Sequence, residues 1–272
     1  MSLIAVERVS HWFPQPDKGE DLHVLDDVDL SIEEGEFVAI VGPSGCGKST
    51  LLNMVAGFVQ ATEGTVLCRG EPVVGPSRER GLVFQELAIL PWRTVRRNIA
   101  HGLELAKVPK AEREERVSAL IHQVGLAGFD QHYPHQLSGG MRQRVAVART
   151  WAADPAIILM DEPFGAVDAM TRLTLQEQLN DLCVKSSKTV LFITHSVDEA
   201  VFLADRVVVM TRRPGKIKET LRVDVARERR DWDYFNSDRQ LTGLVDQTLK
   251  LVREERIEQE YGQAGAGVSG SR

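Results

Sequence analysis

The clearest chemical signal in the sequence is a glycine-rich segment that ends in lysine and serine. It is Gly42-Pro43-Ser44-Gly45-Cys46-Gly47-Lys48-Ser49, which matches the pattern G-x-x-x-x-G-K-[ST] of a phosphate-binding loop. Glycines at these positions let consecutive backbone N–H groups turn toward phosphate oxygens, and the following helix adds its positive N-terminal end. Lys48 would reach the β- and γ-phosphates of a nucleotide, and the Ser49 hydroxyl would bind Mg²⁺. We therefore predict a nucleotide site that runs from Gly42 to Thr50.

A strand-sized apolar run ends in two acidic residues that suit the same chemistry. Ala156–Met160 precedes Asp161 and Glu162. A buried strand that ends in a carboxylate suits a magnesium site, where Asp161 would hold Mg²⁺, usually through water. Glu162 would then be free to polarise an attacking water molecule. Many strands end in aspartate, so this pattern alone does not predict a magnesium site. It does so together with the phosphate loop that precedes it in the chain.

A second anion-binding pattern is Leu137-Ser138-Gly139-Gly140-Met141-Arg142-Gln143-Arg144. Ser138 and the two glycines open a predicted helix, and the N–H groups at its start would attract an anion. One nucleotide rarely needs two such cradles from the same subunit. The pattern therefore indicates a site that two subunits share.

The order of these motifs resembles that of the ATP-binding subunits of ABC transporters, over about residues 3–225. Further motifs in the same order are a Q-loop glutamine, Gln85, a D-loop aspartate, Asp168, and a switch histidine, His195. The signature has Met141 where many members carry glutamine, which is not expected to abolish activity. The D-loop has Gly165-Ala166-Val167 before the aspartate in place of the commoner Ser-Ala-Leu, a departure that concerns local packing.

The resemblance implies an α/β fold, that of the P-loop NTPases. The expected ABC ATPase domain has a RecA-like parallel core, an N-terminal antiparallel β-subdomain and a helical subdomain that carries the signature motif. The resemblance also implies a head-to-tail homodimer that encloses two ATP molecules with Mg²⁺. In that dimer Ser138, Gly139 and Gly140 would touch the γ-phosphate bound by the partner's Lys48.

The same resemblance assigns roles to single residues. Glu162 would act as general base or water-orienting carboxylate, and His195 would sense the γ-phosphate beside Lys48. Asp168 joins the nucleotide-binding residues. Gln85 would link the metal or its water to the membrane partner. The metal ligands would be Ser49, Gln85 and Asp161.

Two neighbouring aromatic residues compete to stack on the adenine ring. Phe13, four residues after Val9, aligns with the aromatic residue that has this role in the family. Trp12 is the rival. The sequence favours Phe13 and leaves Trp12 open.

Narrower features resemble the importers of taurine, aliphatic sulfonates, nitrate and related small anions. They are the stretches 80–85, 90–92, 164–166 and 195–206. This resemblance implies a permease and, indirectly, a solute-binding protein as partners, at the cytoplasmic face of the inner membrane. Cargo is chosen by those partners, so the sequence does not identify it. The alternatives are an exporter ATPase, or a soluble mechanical ATPase in DNA repair or translation.

Composition is that of an ordinary globular protein. In 272 residues, 33 lysines and arginines stand against 39 acidic residues, a net charge of −6, which argues against nucleic acid as a partner. We expect no signal peptide, since no charged segment precedes an apolar core at the start. Three cysteines without a spacing pattern exclude a disulfide scaffold and favour the cytosol.

Hydrophobic periodicity gives the organisation that positions these motifs. We predict an ATPase domain over 1–230 with a helical subdomain inserted at about 87–153, a helical extension over 231–261, and a disordered tail over 262–272. Phe37–Val41 is predicted as a strand buried on both faces, and helices are predicted to begin after Thr94 and Ser196. The basic group Arg212, Arg213, Lys216 and Lys218 is interpreted as a solvated hairpin rather than a lipid or nucleic-acid contact.

Overall fold

A computed structural model describes residues 2–16, 19–84, 87–165 and 167–266, with side chains described to Ile257. The chain divides into two compact units, one from the start to Gly75 and from Phe192 onward, the other from Pro76 to Leu191. In chain order the elements are β1 (Ser2–Phe13), β2 (Leu22–Glu33), β3 (Phe37–Val41), α1 (Lys48–Ala56), β4 (Glu63–Cys68), β5 (Glu71–Pro72), β6 (Arg80–Val83), α2 (Val95–Leu105), α3 (Lys110–Gln123), α4 (Gly139–Ala152), β7 (Ile157–Asp161), α5 (Ala169–Ser186), β8 (Thr189–Ile193), α6 (Val197–Leu203), β9 (Arg206–Met210), β10 (Ile217–Arg222), α7 (Trp232–Ser237) and α8 (Arg239–Ala266).

An antiparallel sheet makes up much of the first unit, with strand order β2-β1-β4-β5. In β2 the apolar residues Val28, Leu30 and Ile32 are buried while the polar residues between them are exposed. This alternation matches the period of two by which side chains of a strand point to opposite faces of a sheet. The predicted N-terminal antiparallel β-subdomain is therefore confirmed.

The first unit also contains the buried strand that leads into the phosphate loop. All five residues of β3 are buried, and β3 pairs with β9 in parallel. The edge strand β10 then pairs with β9 in antiparallel orientation. Strands with both faces covered are continuously apolar, which is why the sequence predicts the bounds of β3 correctly.

The second unit contains the helices α2 to α5 and a parallel pair of strands. The strands are β6 and β7, which pair in parallel register. Helix α2 begins where its sequence predicts, because the Thr94 side chain accepts a hydrogen bond from the N–H of Arg97. Helices α2, α3 and α4 fall within the predicted helical segment. The fold thus combines parallel strands, an antiparallel sheet and a helical segment, as expected.

The C-terminal part of the first unit is helical. Helix α8 continues to Ala266, so it includes residues 262–266 of the predicted disordered tail, while 267–272 lie outside the described residues. Among the described residues, no helix combines the length and the apolar character that a membrane crossing requires.

One arginine in this part, Arg230, is buried although it ends a segment (226–230) rich in charged residues. Arg230 is 4% exposed, and burial lowers its pKa to about 10, so the guanidinium stays charged at neutral pH. It caps the C-terminal end of α6, where the carbonyl groups attract a cation. Its guanidinium donates hydrogen bonds to the carbonyl oxygens of Val201, Phe202, Ala204, Val223 and Val225.

We expect Arg230→Met to destabilise the protein strongly. Methionine fills much of the same space, yet it leaves several buried carbonyl groups without a donor, at about 1–3 kcal/mol for a lost buried partner. Urea unfolding followed by circular dichroism measures the loss. Arg253→Met, on the exposed face of α8, is the control. Equal midpoints for the two variants would contradict the capping role.

Candidate functional site

The phosphate loop lies between the end of β3 and the start of α1, as the predicted motif requires. Gly47 is the N-cap of α1, and no side chain caps this helix. The N–H groups at the start of a helix attract an anion. Gly47 has φ 106°, and a Cβ there would lie 2.6 Å from the Leu25 side chain, so the position needs glycine. The loop and α1 thus form a pre-built anion cradle.

The Lys48 amine lies within this cradle. Its Nζ donates hydrogen bonds to the carbonyl oxygens of Gly42 and Pro43, each at 2.9 Å, and the residue is 6% exposed. Cys46 is buried beside it, with Sγ 3.9 Å from Nζ. Burial raises the pKa of the Cys46 thiol more than the ammonium lowers it, so the thiol stays protonated. The cradle therefore holds one cation and a neutral thiol.

Phe13 lies on a face of β1 that is linked to the phosphate loop through His11 and Leu25. Its ring meets His11 edge to face at a centroid distance of 4.5 Å, so the two side chains share a face. His11 is paired with Leu25, whose side chain covers Gly47. The Phe13 ring is 38% exposed. An exposed ring on this face is available to stack on a base.

Trp12, the rival for this role, has a protein partner already. Its ring stacks on His23 at a centroid distance of 4.3 Å with 9° between the planes. Successive strand residues point to opposite faces, so Trp12 and Phe13 point away from each other. The geometry therefore favours Phe13 over Trp12.

His195 follows β8 and is exposed at the start of α6. The Thr194 N–H donates to the Ile40 carbonyl, 3.3 Å away in β3, so the loop that carries His195 begins beside the strand that feeds the phosphate loop. Buried Thr194 and Glu199 hold this loop through an O–H···O contact of 2.5 Å. The Ser196 side chain accepts from the N–H of Glu199, as the predicted cap requires. The support by Thr194 and Glu199 was not foreseen.

In the second unit, the two predicted acidic residues lie at the end of β7. Asp161 is its last residue, and Asp161 and Glu162 are both partly exposed. Glu162 has φ 45°, a left-handed conformation that a residue with a side chain rarely adopts. The N–H of Gly165 donates to its carbonyl at 3.1 Å and closes a turn. Strained backbone of this kind is concentrated at functional sites.

The signature segment begins α4 as predicted. Ser138 is the N-cap, and its side-chain oxygen accepts from the N–H of Met141 at 3.2 Å. A Cβ at Gly140 would overlap the Thr171 side chain at the start of α5, whereas a Cβ at Gly139 would meet nothing within 4 Å. Gly140 is therefore required for packing within the chain, and Gly139 faces open space.

Asp168 caps α5 next to this signature. Its side chain accepts a hydrogen bond of 3.1 Å from the N–H of Thr171, which lowers the pKa of the carboxyl group. The residue is exposed and so stays ionised at neutral pH. The second unit thus brings Asp168 and the signature together through Thr171.

The remaining site predictions concern the metal. Ser49 and Asp161 offer a hydroxyl and a carboxylate, the oxygen donors that Mg²⁺ prefers, and therefore fit this ion. Gln85, the third predicted ligand, lies outside the described residues. No group of three or more His, Cys, Asp or Glu side chains arranged for a metal occurs in the described part of the chain.

Comparison with known proteins places the chain among transporter components. Residues 25–165 match a family described as "ABC transporter". An uncharacterized ABC transporter ATP-binding protein of Methanocaldococcus jannaschii is 55% identical over 86% of this chain and 89% of its own. The taurine import ATP-binding protein TauB of Pseudomonas savastanoi is 48% identical over 84% and 85%. A dimeric post-hydrolysis state of an ATP-binding cassette with ADP and Pi matches 82% of this chain and 100% of its own, at 31% identity and a TM-score of 0.72.

Proposed function

The chain belongs to the ABC transporter family as an ATP-binding subunit, and from that premise we propose that it is a Mg²⁺-dependent ATPase that powers an importer of small anions. The phosphate loop at the start of α1, with glycine as the N-cap and the Lys48 amine inside the loop, carries this proposal. The cradle supplies N–H donors and a cation to the phosphates of ATP.

The predicted site residues have separate tasks in hydrolysis. Lys48 holds the phosphate chain, and His195 contacts the γ-phosphate. Glu162 orients the attacking water and accepts its proton. Ser49, Asp161 and Gln85 would hold Mg²⁺, which when bound would neutralise phosphate charge.

The second cradle supports a head-to-tail homodimer. Gly139 and the exposed Ser138 leave the start of α4 accessible to an incoming phosphate. The γ-phosphate held by one copy would therefore contact Ser138, Gly139 and Gly140 of the other, with Asp168 beside them. ATP binding closes the two copies and hydrolysis reopens them.

The cargo is proposed as taurine, an aliphatic sulfonate, nitrate or a related anion. The similarity to proteins named as taurine import ATP-binding subunits, over most of both chains, supports this class. The partners are then a membrane permease, bound at the cytoplasmic face of the inner membrane, and indirectly a solute-binding protein.

Affinity purification from gently solubilised native membranes tests the importer role. We expect mass spectrometry to identify a multi-span permease, and reconstitution with that permease to give ATP turnover that rises with an anion-loaded binding protein. Recovery of ribosomal or DNA-repair proteins without a permease would contradict the proposal. Recovery of a permease would favour an exporter if the ATP turnover of the reconstituted complex does not change with any binding protein.

Base stacking by Phe13 gives a separate prediction for nucleotide affinity. Phe13→Ala should weaken ATP binding about tenfold, since stacking of one base on an aromatic ring contributes about 1–3 kcal/mol. Titration with ATP measures the dissociation constant. Trp12→Ala is the matched control, because its ring stacks on His23 instead. A larger loss of ATP affinity for Trp12→Ala than for Phe13→Ala would mean that Trp12, and not Phe13, stacks on the base.

A further inference from the structure

The turn between β9 and β10, residues 211–216, lies directly against the phosphate loop. A Cβ at Gly215 would overlap the carbonyl oxygen of Cys46, and a Cβ at Gly42 would lie 2.9 Å from the carbonyl oxygen of Met210. Met210 and Gly215 therefore lie directly against Gly42 and Cys46 of the phosphate loop. A shift of this turn cannot occur without a shift of the loop, because no space separates the two backbones.

Hydrogen bonds make the turn rigid and connect it to β2. Within the turn, the Lys216 N–H donates to the Thr211 hydroxyl and the Thr211 N–H donates to the Lys216 carbonyl, both at 2.9 Å. Gly215 exchanges two backbone hydrogen bonds with β2, to the Val24 carbonyl at 2.8 Å and from the Asp26 N–H at 3.1 Å. The turn thus acts as a fixed support for the loop.

Helix α8 holds the same turn from its other side. Glu255 is 5% exposed, and one of its carboxylate oxygens accepts from the N–H of Arg212 at 2.9 Å. The other oxygen lies 2.8 Å from Nζ of Lys218 in β10. The neighbouring Glu254 also reaches Lys218, at 3.0 Å, and its side chain is 44% exposed. A buried carboxylate with a cation and an N–H donor fixes geometry more strongly than an exposed ion pair.

We propose that α8 positions the phosphate loop and so sets nucleotide affinity, with Glu255 as the positioning residue that acts through the turn 211–216. The path runs from Glu255 to Arg212, along the turn to Gly215, and from Gly215 to Cys46. The turn and α8 lie beyond residues 25–165, the part that matches the family. The inference rests on the proposed function, because it requires that the loop bind ATP.

The test compares Glu255→Gln with Glu254→Gln. Both changes remove one charge from the same turn of α8, but only Glu255 uses one oxygen for the Arg212 N–H and the other for Lys218 Nζ. Glutamine has a single acceptor oxygen, so it cannot serve both donors, and its NH2 group would face one of them. We expect Glu255→Gln to weaken ATP affinity about three- to tenfold and to raise KM for ATP with little change in kcat. Hydrogen exchange of the amides in 42–49 should become faster. Glu254→Gln should leave all these quantities unchanged.

A purely structural role for Glu255 would lower the melting temperature and leave the ATP affinity of the folded protein unchanged. Faster exchange in 211–216 without any change in 42–49 or in affinity would therefore overturn the proposal. If the wild-type protein does not bind ATP, the proposed function fails instead, which is a different outcome.

A second pair of variants decides the matter if Glu255→Gln does not fold. Gly215→Ala inserts a methyl group against the Cys46 carbonyl, whereas Gly243→Ala in α8 meets nothing within 4 Å. Weaker ATP binding by Gly215→Ala, with Gly243→Ala unchanged, supports the path from the turn to the loop. Unchanged binding by a folded Gly215→Ala variant overturns it.

Discussion

Replacing Glu162 with glutamine is expected to lower steady-state ATP turnover by about 10²- to 10⁴-fold, the usual contribution of a positioned general base. Glutamine has the same shape and can accept a hydrogen bond, but it does not take a proton from water at neutral pH. The left-handed backbone at Glu162 belongs to the turn closed by Gly165, so the substitution leaves the position of the side chain unchanged. Phosphate release under saturating ATP measures the effect.

ATP binding separates this role from a structural one. The Glu162→Gln variant should bind ATP with nearly the wild-type dissociation constant, because the phosphate loop and Lys48 are intact. Glu177→Gln, an exposed change on α5, should leave turnover unchanged. Near-normal turnover by Glu162→Gln would show that another group activates the water.

The elements that are determined by residues close together in the sequence were predicted from the sequence. The strand β3 is apolar at every position, and Thr94 and Ser196 are caps by side-chain type and spacing, so each was predicted from its own segment. The phosphate loop was predicted in the same way, because its glycine spacing and adjoining lysine lie next to each other in the sequence. Helix α1 begins at Lys48, within the segment from Gly42 to Thr50 that was predicted as the nucleotide site.

Other features depend on partners far away in the sequence. The burial of Arg230 depends on carbonyl groups of α6, more than 20 residues earlier, while its own segment is charged and typical of a solvated surface. The basic group at 212–218 gave no sign that Lys216 pairs with Asp26 or that Lys218 pairs with Glu254 and Glu255. The interpretation as a solvated hairpin also gave no sign of the close approach of Gly215 to the Cys46 carbonyl.

The candidate site also combines features that depend on neighbouring residues with features that depend on residues far away in the sequence. Residue types and order are the basis on which we predict the side chains that carry chemistry, whereas the structure adds how those side chains are held. Thr194 and Glu199 position the loop of His195, and Thr171 connects Gly140 with Asp168. These supports are ordinary polar contacts whose residue types have no distinctive spacing, so they become visible only in the fold.

The second large effect is expected for Lys48→Met, which should lower ATP turnover by at least about 10²-fold and weaken ATP binding. Methionine keeps the packing of the apolar stem but removes the only charge among the described side chains of the loop. A single preorganised donor to developing negative charge contributes about 10²–10³ in kcat. The carbonyl groups of Gly42 and Pro43 also lose their donor, so the loop itself becomes less ordered.

Two measurements distinguish loss of chemistry from loss of the fold. Circular dichroism should report unchanged helix and strand content, since β3 and α1 are stabilised by buried apolar residues on either side of the loop. Lys185→Met, an exposed change on α5, controls for removal of one positive charge and should retain full turnover. ATP should raise the melting temperature of the wild-type protein, because a ligand that binds only the folded state stabilises it. The increase should be much smaller for Lys48→Met. An equal gain in both proteins would mean that the backbone cradle alone binds the phosphates and that the amine acts only later, in hydrolysis.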